Sequence, residues 1–365
     1  MTTQKPYDIV IFGATGFTGQ LVVEYFLTET ETSLQRTDSI KWAIAGRNQA
    51  KIDKLKQHLK TKAGSKVDAG IIDSVPVLIA DGNDRESVLS LINSTRVVLS
   101  VAGPYALYSA LMVELCAENG VHYCDLTGEM TWAQQNVRKF EAAAKKSGAR
   151  LVHCCGFESV PSDMMAYLLA DRVVKQHNSK VSRINYYMTA AAGGASGGTC
   201  SSLLTMLDEA EPELLQGMGN PFFYTSPAYI EEKQALVEAN TSPNFAVPYD
   251  ADLKSRSAFF IGAMINQHVV LRSNYLLKDY YGSKFAYVER LGLTNAMNWV
   301  LAGITGLVAY LTMYSWTRKL LWMLAPSAGE GPSEAEMRKG FFKSTAFAYD
   351  EAGKLAARGE ANCAT

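Results

Sequence analysis

The chain has no CxxC pair and no HExxH string, so the common zinc patterns are missing and no metal is expected. Its six cysteines, Cys116, Cys124, Cys154, Cys155, Cys200 and Cys363, are too sparse in 365 residues for a disulfide scaffold. Reduced thiols and a cytoplasmic setting are the expectation. Charge of one sign is also lacking. A net charge of -1 gives a nucleic-acid partner no electrostatic footing. No secretory leader is legible, because the first apolar run follows Lys5-Pro6 and feeds directly into glycines. Internal repeats and low-complexity segments are absent as well. The most apolar segment, "WVLAGITGLVAYLTMYSW" (Trp299–Trp316), has eighteen residues without a charge, against the roughly 20 apolar ones that a bilayer span needs. Its glycines and hydroxyls favour a buried or lipid-facing helix over a span. Its terminal tryptophans and the following Arg318-Lys319 suit an interface.

What is there is a regular alternation of strand and helix. Asp8–Phe12, Lys41–Arg47, Val75–Asp81, Arg96–Gly103, Val121–Gly128 and Arg150–Phe157 read as strands buried on both faces. Between them, Phe17–Thr28, Gln49–Lys60, Arg85–Asn93, Leu107–Asn119 and Lys139–Ser147 carry helical spacing. This order predicts an α/β fold: a Rossmann-like, doubly wound parallel sheet, with a second α/β (α+β) domain behind it. The expected divisions are an NAD(P)-binding domain over 1–160, an inserted substrate domain over 161–290, and an apolar helix with a C-terminal hairpin over 291–365.

In "YDIVIFGATGFTG" (Tyr7–Gly19) three glycines stand three apart between a strand and a helix. Gly13 would allow the tight turn, Gly16 the approach of a pyrophosphate, and Gly19 the packing of helix on strand. With Thr15, Phe17 and Thr18, they form the expected diphosphate-binding turn at a helix N-terminus. The second strand ends Ala45-Gly46-Arg47-Asn48, with no carboxylate where an NAD site places one. Arg47, with Asn48, is therefore expected at a 2′-phosphate, which makes NADP(H) the predicted cofactor. Asp81, closing the third strand, would lie near the adenine or cap the next helix with Asn83.

Beyond Pro161 the pattern changes. Ser159 or Ser162 is expected to cap a helix. Arg183–Leu207 reads as a strand, four glycines among small residues, and a helix capped by Thr199 or Ser201. Pro212–Asp250 reads as loops around short elements. Ser255–Leu277 mixes strand and helix patterns, and Phe341–Cys363 reads as a hairpin around Asp350–Gly353.

Seven strings carry a resemblance: "IFGATGFTG", "WAIAGRN", "VAGPY", "HYCDLTGE", "CCGFESVPSD", "GGASGGT" and "GEGPSEAEMRKGFF". Over nearly its whole length the chain resembles the saccharopine-dehydrogenase-like oxidoreductases, in the branch that includes the mycobacterial trans-acting enoyl reductases. The resemblance implies a nucleotide held at Gly13, Gly16, Gly19 and Arg47, with Ala102-Gly103-Pro104-Tyr105 beside the nicotinamide. It also implies hydride transfer to a double bond of a lipid or polyketide-type chain, and so a place in lipid or glycolipid synthesis. The family pattern has Asp where Glu158 stands. Relatives continue past the point where this chain stops, so truncation is expected.

Reducing an enoyl group conjugated to a carbonyl builds charge on oxygen and needs a proton at carbon. Tyr105, Glu129 and Glu158 are the candidate catalytic donors, the carboxyls on condition that burial raises their pKa. Each has a plainer alternative: Tyr105 as a stacking ring, and Asp125 nearby as a turn anchor. His122 and His153 read as core histidines. The leading function is an NADPH-dependent oxidoreductase on a lipid or acyl substrate. The alternatives are a non-catalytic NADP-binding scaffold or sensor at a lipid surface, and a saccharopine-type amino-acid dehydrogenase. Expected partners are the small-molecule substrate, then a membrane or lipid-droplet surface reached peripherally, and a second copy of the chain.

Overall fold

Strand residues that are apolar on both sides of the backbone can be satisfied only between two layers of helix. Val10 and Phe12 point into one core, with Val98, Met112 and Tyr123. Ile11 points into another, with Ile44, Val23, Leu27 and Ile52. Each such side chain contributes about 1.5–3 kcal/mol on full burial. The computed structural model describes residues 5–29, 40–63, 68–194, 196–241, 246–312, 314–327 and 329–364. They divide into two compact units. The first is Met1–Cys155 with Ser196–Leu203 and Pro326–Gly331. The second is Gly156–Ala195, Leu204–Ala325 and Pro332–Thr365.

The first unit runs β1 (Tyr7–Phe12), α1 (Phe17–Glu29), β2 (Trp42–Gly46), α2 (Gln49–Ala63), α3 (Ala69–Ser74), β3 (Val77–Ile79), α4 (Arg85–Ser94), β4 (Thr95–Ser100), α5 (Tyr105–Tyr108), α6 (Ala110–Asn119), β5 (His122–Asp125), α7 (Met130–Ser147) and β6 (Leu151–Val152). Its six strands lie parallel in the order β3-β2-β1-β4-β5-β6. That is the doubly wound order, reversing direction between β1 and β4, where ligands of such sheets bind. Ile9 pairs with Trp42 on one side and Val97 on the other.

The second unit holds α8 (Val160–His177), β7 (Val181–Ala192), the C-terminal part of α9 (Gly197–Glu209) from Leu204 on, α10 (Pro212–Gly217), α11 (Pro227–Glu232), α12 (Val237–Asn240), β8 (Tyr249–Asp250), β9 (Ser255–Ala258), α13 (Ala263–Leu276), β10 (Ala286–Gly292), α14 (Ala296–Thr312), α15 (Ser315–Leu324), α16 (Glu334–Met337), β11 (Phe341–Asp350) and β12 (Leu355–Ala364). Its mixed sheet has the order β12-β11-β7-β10-β9-β8. Ile184, Tyr186 and Tyr287 from the sheet share a core with Met165 and Leu169 of α8 and Val270 of α13.

Several expectations need correcting. The sixth strand pairs only at Leu151–Val152, because Cys154 takes φ 61° and turns the chain out of the ladder. α7 starts at Met130, nine residues before the expected Lys139, since Met130, Trp132 and Ala133 are already buried on its inner face. α9 starts at Gly197, with Ser196 Oγ accepting from Thr199 N at 3.3 Å, so Thr199 and Ser201 lie inside the helix. Ser159 holds the N-cap position of α8 but makes no capping bond; its hydroxyl donates to Asn266 Oδ1 instead, at 3.0 Å.

The apolar stretch forms two helices, α14 and α15, and is not buried. Trp299, Leu307, Trp316, Met323 and Leu324 are 51%, 58%, 70%, 82% and 74% exposed. Among the described residues no helix is long and apolar enough to cross a membrane.

Candidate functional site

The site assembles where the strands of the first unit end. Gly13 leaves β1 at φ +88°, and a Cβ there would come within 2.8 Å of Ala102, so only glycine fits. A Cβ on Gly19 would lie 2.3 Å from Gly13 O and 2.8 Å from Ala14. Gly16 differs: its Cβ would meet only Gly13 O, at an ordinary 3.4 Å. Protein packing therefore does not demand glycine at 16, whereas a ligand backed against the turn would. Gln20 N donates to Gly16 O at 3.0 Å, so the N–H groups of Phe17, Thr18 and Gly19 form the helix's first turn and stay outside its ladder. Thr15 O accepts from the Gln20 side chain at 3.3 Å.

Two short segments from far along the chain complete this unit. A Cβ on Gly331 would fall 2.5 Å from the Phe17 ring, so backbone lies flat against that ring. The segment is braced by Gly197 N donating to Glu330 O at 2.9 Å and Ser327 N donating to Glu330 Oε2 at 2.9 Å. Ser202 Oγ sits 3.3 Å from where a Gly103 Cβ would be.

Arg47 is exposed after β2, its guanidinium 5.5 Å from the centre of the Tyr108 ring. That stacking holds the planar group while leaving its edge for an anion. Asn48 Oδ1 accepts from Lys51 N at 3.0 Å and caps α2. Asp81 Oδ1 accepts from Asn83 N at 3.0 Å, while α4 is capped by Asp84, not by Asp81 or Asn83.

Ala102 and the cis Gly103-Pro104 bond lead into α5. There Tyr105 N donates to Glu129 Oε1 at 2.7 Å and Ala106 N to Glu129 Oε2 at 2.9 Å. Glu129 is 1% exposed. Burial pushes its carboxyl up, and the two backbone N–H bonds and the Ser202 hydroxyl pull it back. With both oxygens accepting from backbone, this carboxyl caps the turn and is poorly placed to donate a proton. Tyr105 is 5% exposed and stacks on Trp132 at 5.9 Å. Burial, with Asp125 second, pushes its phenol well above the ordinary range.

Glu158 belongs to the second unit. Surrounding atoms push its carboxyl up by desolvation, yet the residue is solvent-exposed. Water at the carboxylate limits that effect, and the condition set for it as a buried acid is not met.

A buried pair was not foreseen. His153 Nδ1 lies 2.7 Å from Asp125 Oδ2, with side chains 9% and 0% exposed. Asp125 read in sequence as a turn anchor, and Thr127 N does donate to its Oδ1 at 3.1 Å. Both residues fall at ends of adjacent strands, so "HYCD" beside "LVHCC" was the available signal. Tyr108 and Trp132 had none beyond helical spacing from Tyr105 and Glu129. Among the described residues no cluster of His, Cys, Asp and Glu could hold a metal.

The saccharopine dehydrogenase NADP-binding domain family matches residues 9–152. A trans-acting enoyl reductase of Mycobacterium leprae is 27% identical over 359 residues, covering 93% of this chain and 80% of that protein. One from Mycobacterium ulcerans is 27% identical over 360 residues, covering 94% and 81%. Apo saccharopine dehydrogenase (L-Glu forming) from Saccharomyces cerevisiae superposes with a TM-score of 0.41 at 12% identity, covering 98% of this chain and 85% of that one. The fold and the domain together define an NAD(P)-dependent oxidoreductase whose cofactor is NADP(H).

Proposed function

We propose that this chain reduces a carbon–carbon double bond of a lipid or polyketide-type substrate at the expense of NADPH. The observation that carries the cofactor side is the turn at Gly13–Gly19 at the reversal point of the sheet, with Arg47 one strand over. The first-turn N–H groups of Phe17, Thr18 and Gly19 would hold the diphosphate, and Arg47 the 2′-phosphate. NADPH, when bound, supplies the hydride. The chain's residues orient and shield: Glu129 fixes the 103–106 turn, and Tyr105 and Trp132 form an apolar wall behind it. Asn48 and Asp81 shape the rim through the cap and turn they form.

The substrate side rests on the relatives' being named enoyl reductases and on the exposed apolar face of α14 and α15. That face is suited to an acyl-bearing surface. The test is NADPH oxidation, followed by absorbance, with a trans-2-enoyl thioester of long chain. Turnover that requires the double bond supports the proposal. NADPH binding with no turnover on any enoyl chain defeats it and favours the second reading, a nucleotide-binding scaffold at a lipid surface. Flotation of the protein with phosphatidylcholine vesicles tests the surface role, and recovery wholly in the bottom fraction excludes it. Association with a second copy is a further expectation, for which the long edge strand β12 offers unpaired backbone; sedimentation as a monomer at all concentrations rejects it.

A further inference from the structure

The hydrogen bonds around Asp125 form one continuous chain within the first unit. Asn136 Nδ2 lies 3.4 Å from His153 Nε2. His153 Nδ1 faces Asp125 Oδ2 at 2.7 Å. A carboxylate only accepts, so Nδ1 carries the proton and Nε2 is left to accept from the amide. Asp125 Oδ1 accepts from Thr127 N at 3.1 Å and Cys154 N at 3.2 Å, while Asp125 O accepts from Cys155 N at 2.7 Å. Thr127 Oγ1 accepts from Glu129 N at 3.0 Å. Glu129 then takes the N–H groups of Tyr105 and Ala106. The chain thus ties the ends of β5 and β6 to the turn after β4.

Two features mark this as more than a satisfied core histidine. Cys154 sits at φ 61°, where a non-glycine residue costs roughly 1 kcal/mol or more and persists only if its surroundings hold it. Asp125 holds Cys154 through its side chain and the next residue, Cys155, through its backbone carbonyl. The His153 ring is also pinned edgewise between Trp132, at 5.1 Å, and Tyr123, at 5.9 Å, and Trp132 is the ring behind Tyr105.

We infer that Asp125 and His153 are a positioning pair, which fixes the loops after β4 and β5 against which the nicotinamide half of NADPH binds. This rests on the NADPH reading above. Neither residue is assigned contact with the cofactor; both act through Glu129 and the 103–106 turn.

The test uses the full chain and two probes, NADPH and 2′,5′-ADP, which shares the adenine and 2′-phosphate but lacks nicotinamide. His153→Phe keeps a ring for the tryptophan and loses the bond to Asp125. His153→Asn keeps a short donor toward it. The expected result is that H153F weakens NADPH about tenfold, the loss of one charge-assisted bond, and leaves 2′,5′-ADP within about twofold. The Thr127 and Cys154 amides should exchange with solvent faster in H153F, and H153N should recover most of both effects. H153F matching wild type with NADPH and in amide exchange overturns the inference, as does equal weakening of both probes. Wild-type protein that binds neither probe is a distinct result: it removes the NADPH reading underneath.

Discussion

Gly13 and Arg47 show how differently single residues can be fixed. Gly13 is dictated by space and backbone angle, since its φ is +88° and Ala102 occupies the place a Cβ would need. Replacing Gly13 with Ala should therefore destabilise the first unit by about 2 kcal/mol or more, lowering the midpoint of thermal unfolding by several degrees with or without nucleotide. Arg47 is exposed, with its guanidinium over the face of the Tyr108 ring. Arg47→Ala should leave the unfolding midpoint unchanged and weaken NADPH by about 1.5–3 kcal/mol. NADH should be scarcely affected, as paired titrations would show. Equal losses for the two nucleotides would mean that the guanidinium does not meet the 2′-phosphate.

At the scale of elements, the parallel sheet was legible because its strands are apolar on both faces and its turns are marked by glycine. What escaped were features set by partners distant in sequence. The end of β6 gives way because Asp125, some thirty residues earlier, recruits the Cys154 and Cys155 amides. No local pattern encodes that. Glu129 looked like an acid because it follows a strand, and it is a cap because the α5 amides face it. Glu289 on β10 escaped altogether. It is fully buried, accepting from Tyr287 Oη at 2.7 Å, Asn266 Nδ2 at 2.8 Å and Ser162 Oγ at 3.3 Å. Burial nonetheless pushes its carboxyl up to about 7. A carboxyl raised in the folded state binds more protons there than in the unfolded chain. Its contribution is complete below about pH 4 and is lost as pH rises through about 7. Stability of the second unit should fall by up to about 3 kcal/mol between pH 5 and 8 from this group. Glu289→Gln should flatten that slope in urea titrations; an unchanged slope would place the pH dependence elsewhere.

For the molecule as a whole, the segment that looked most like a span in sequence is a broken pair of helices with much of its apolar surface in water. Hydropathy counts residues and cannot tell a buried side from a bare one. If that face meets lipid, Trp316→Glu with Leu324→Glu should cut vesicle flotation by about tenfold or more, at roughly 2.5–3.5 kcal/mol per charge in the apolar layer. Circular dichroism and nucleotide affinity should not change. Flotation unaffected by both charges would separate the face from any lipid contact.

The backbone at Gly331 resting on Phe17 has a practical corollary. The nucleotide half is not a portable cassette that can be cut out at residue 155, because a piece made that way would bare a phenylalanine ring at the helix start proposed to receive phosphate. Anyone grafting this half onto another scaffold would have to carry along a dozen or so residues encoded much later in the gene.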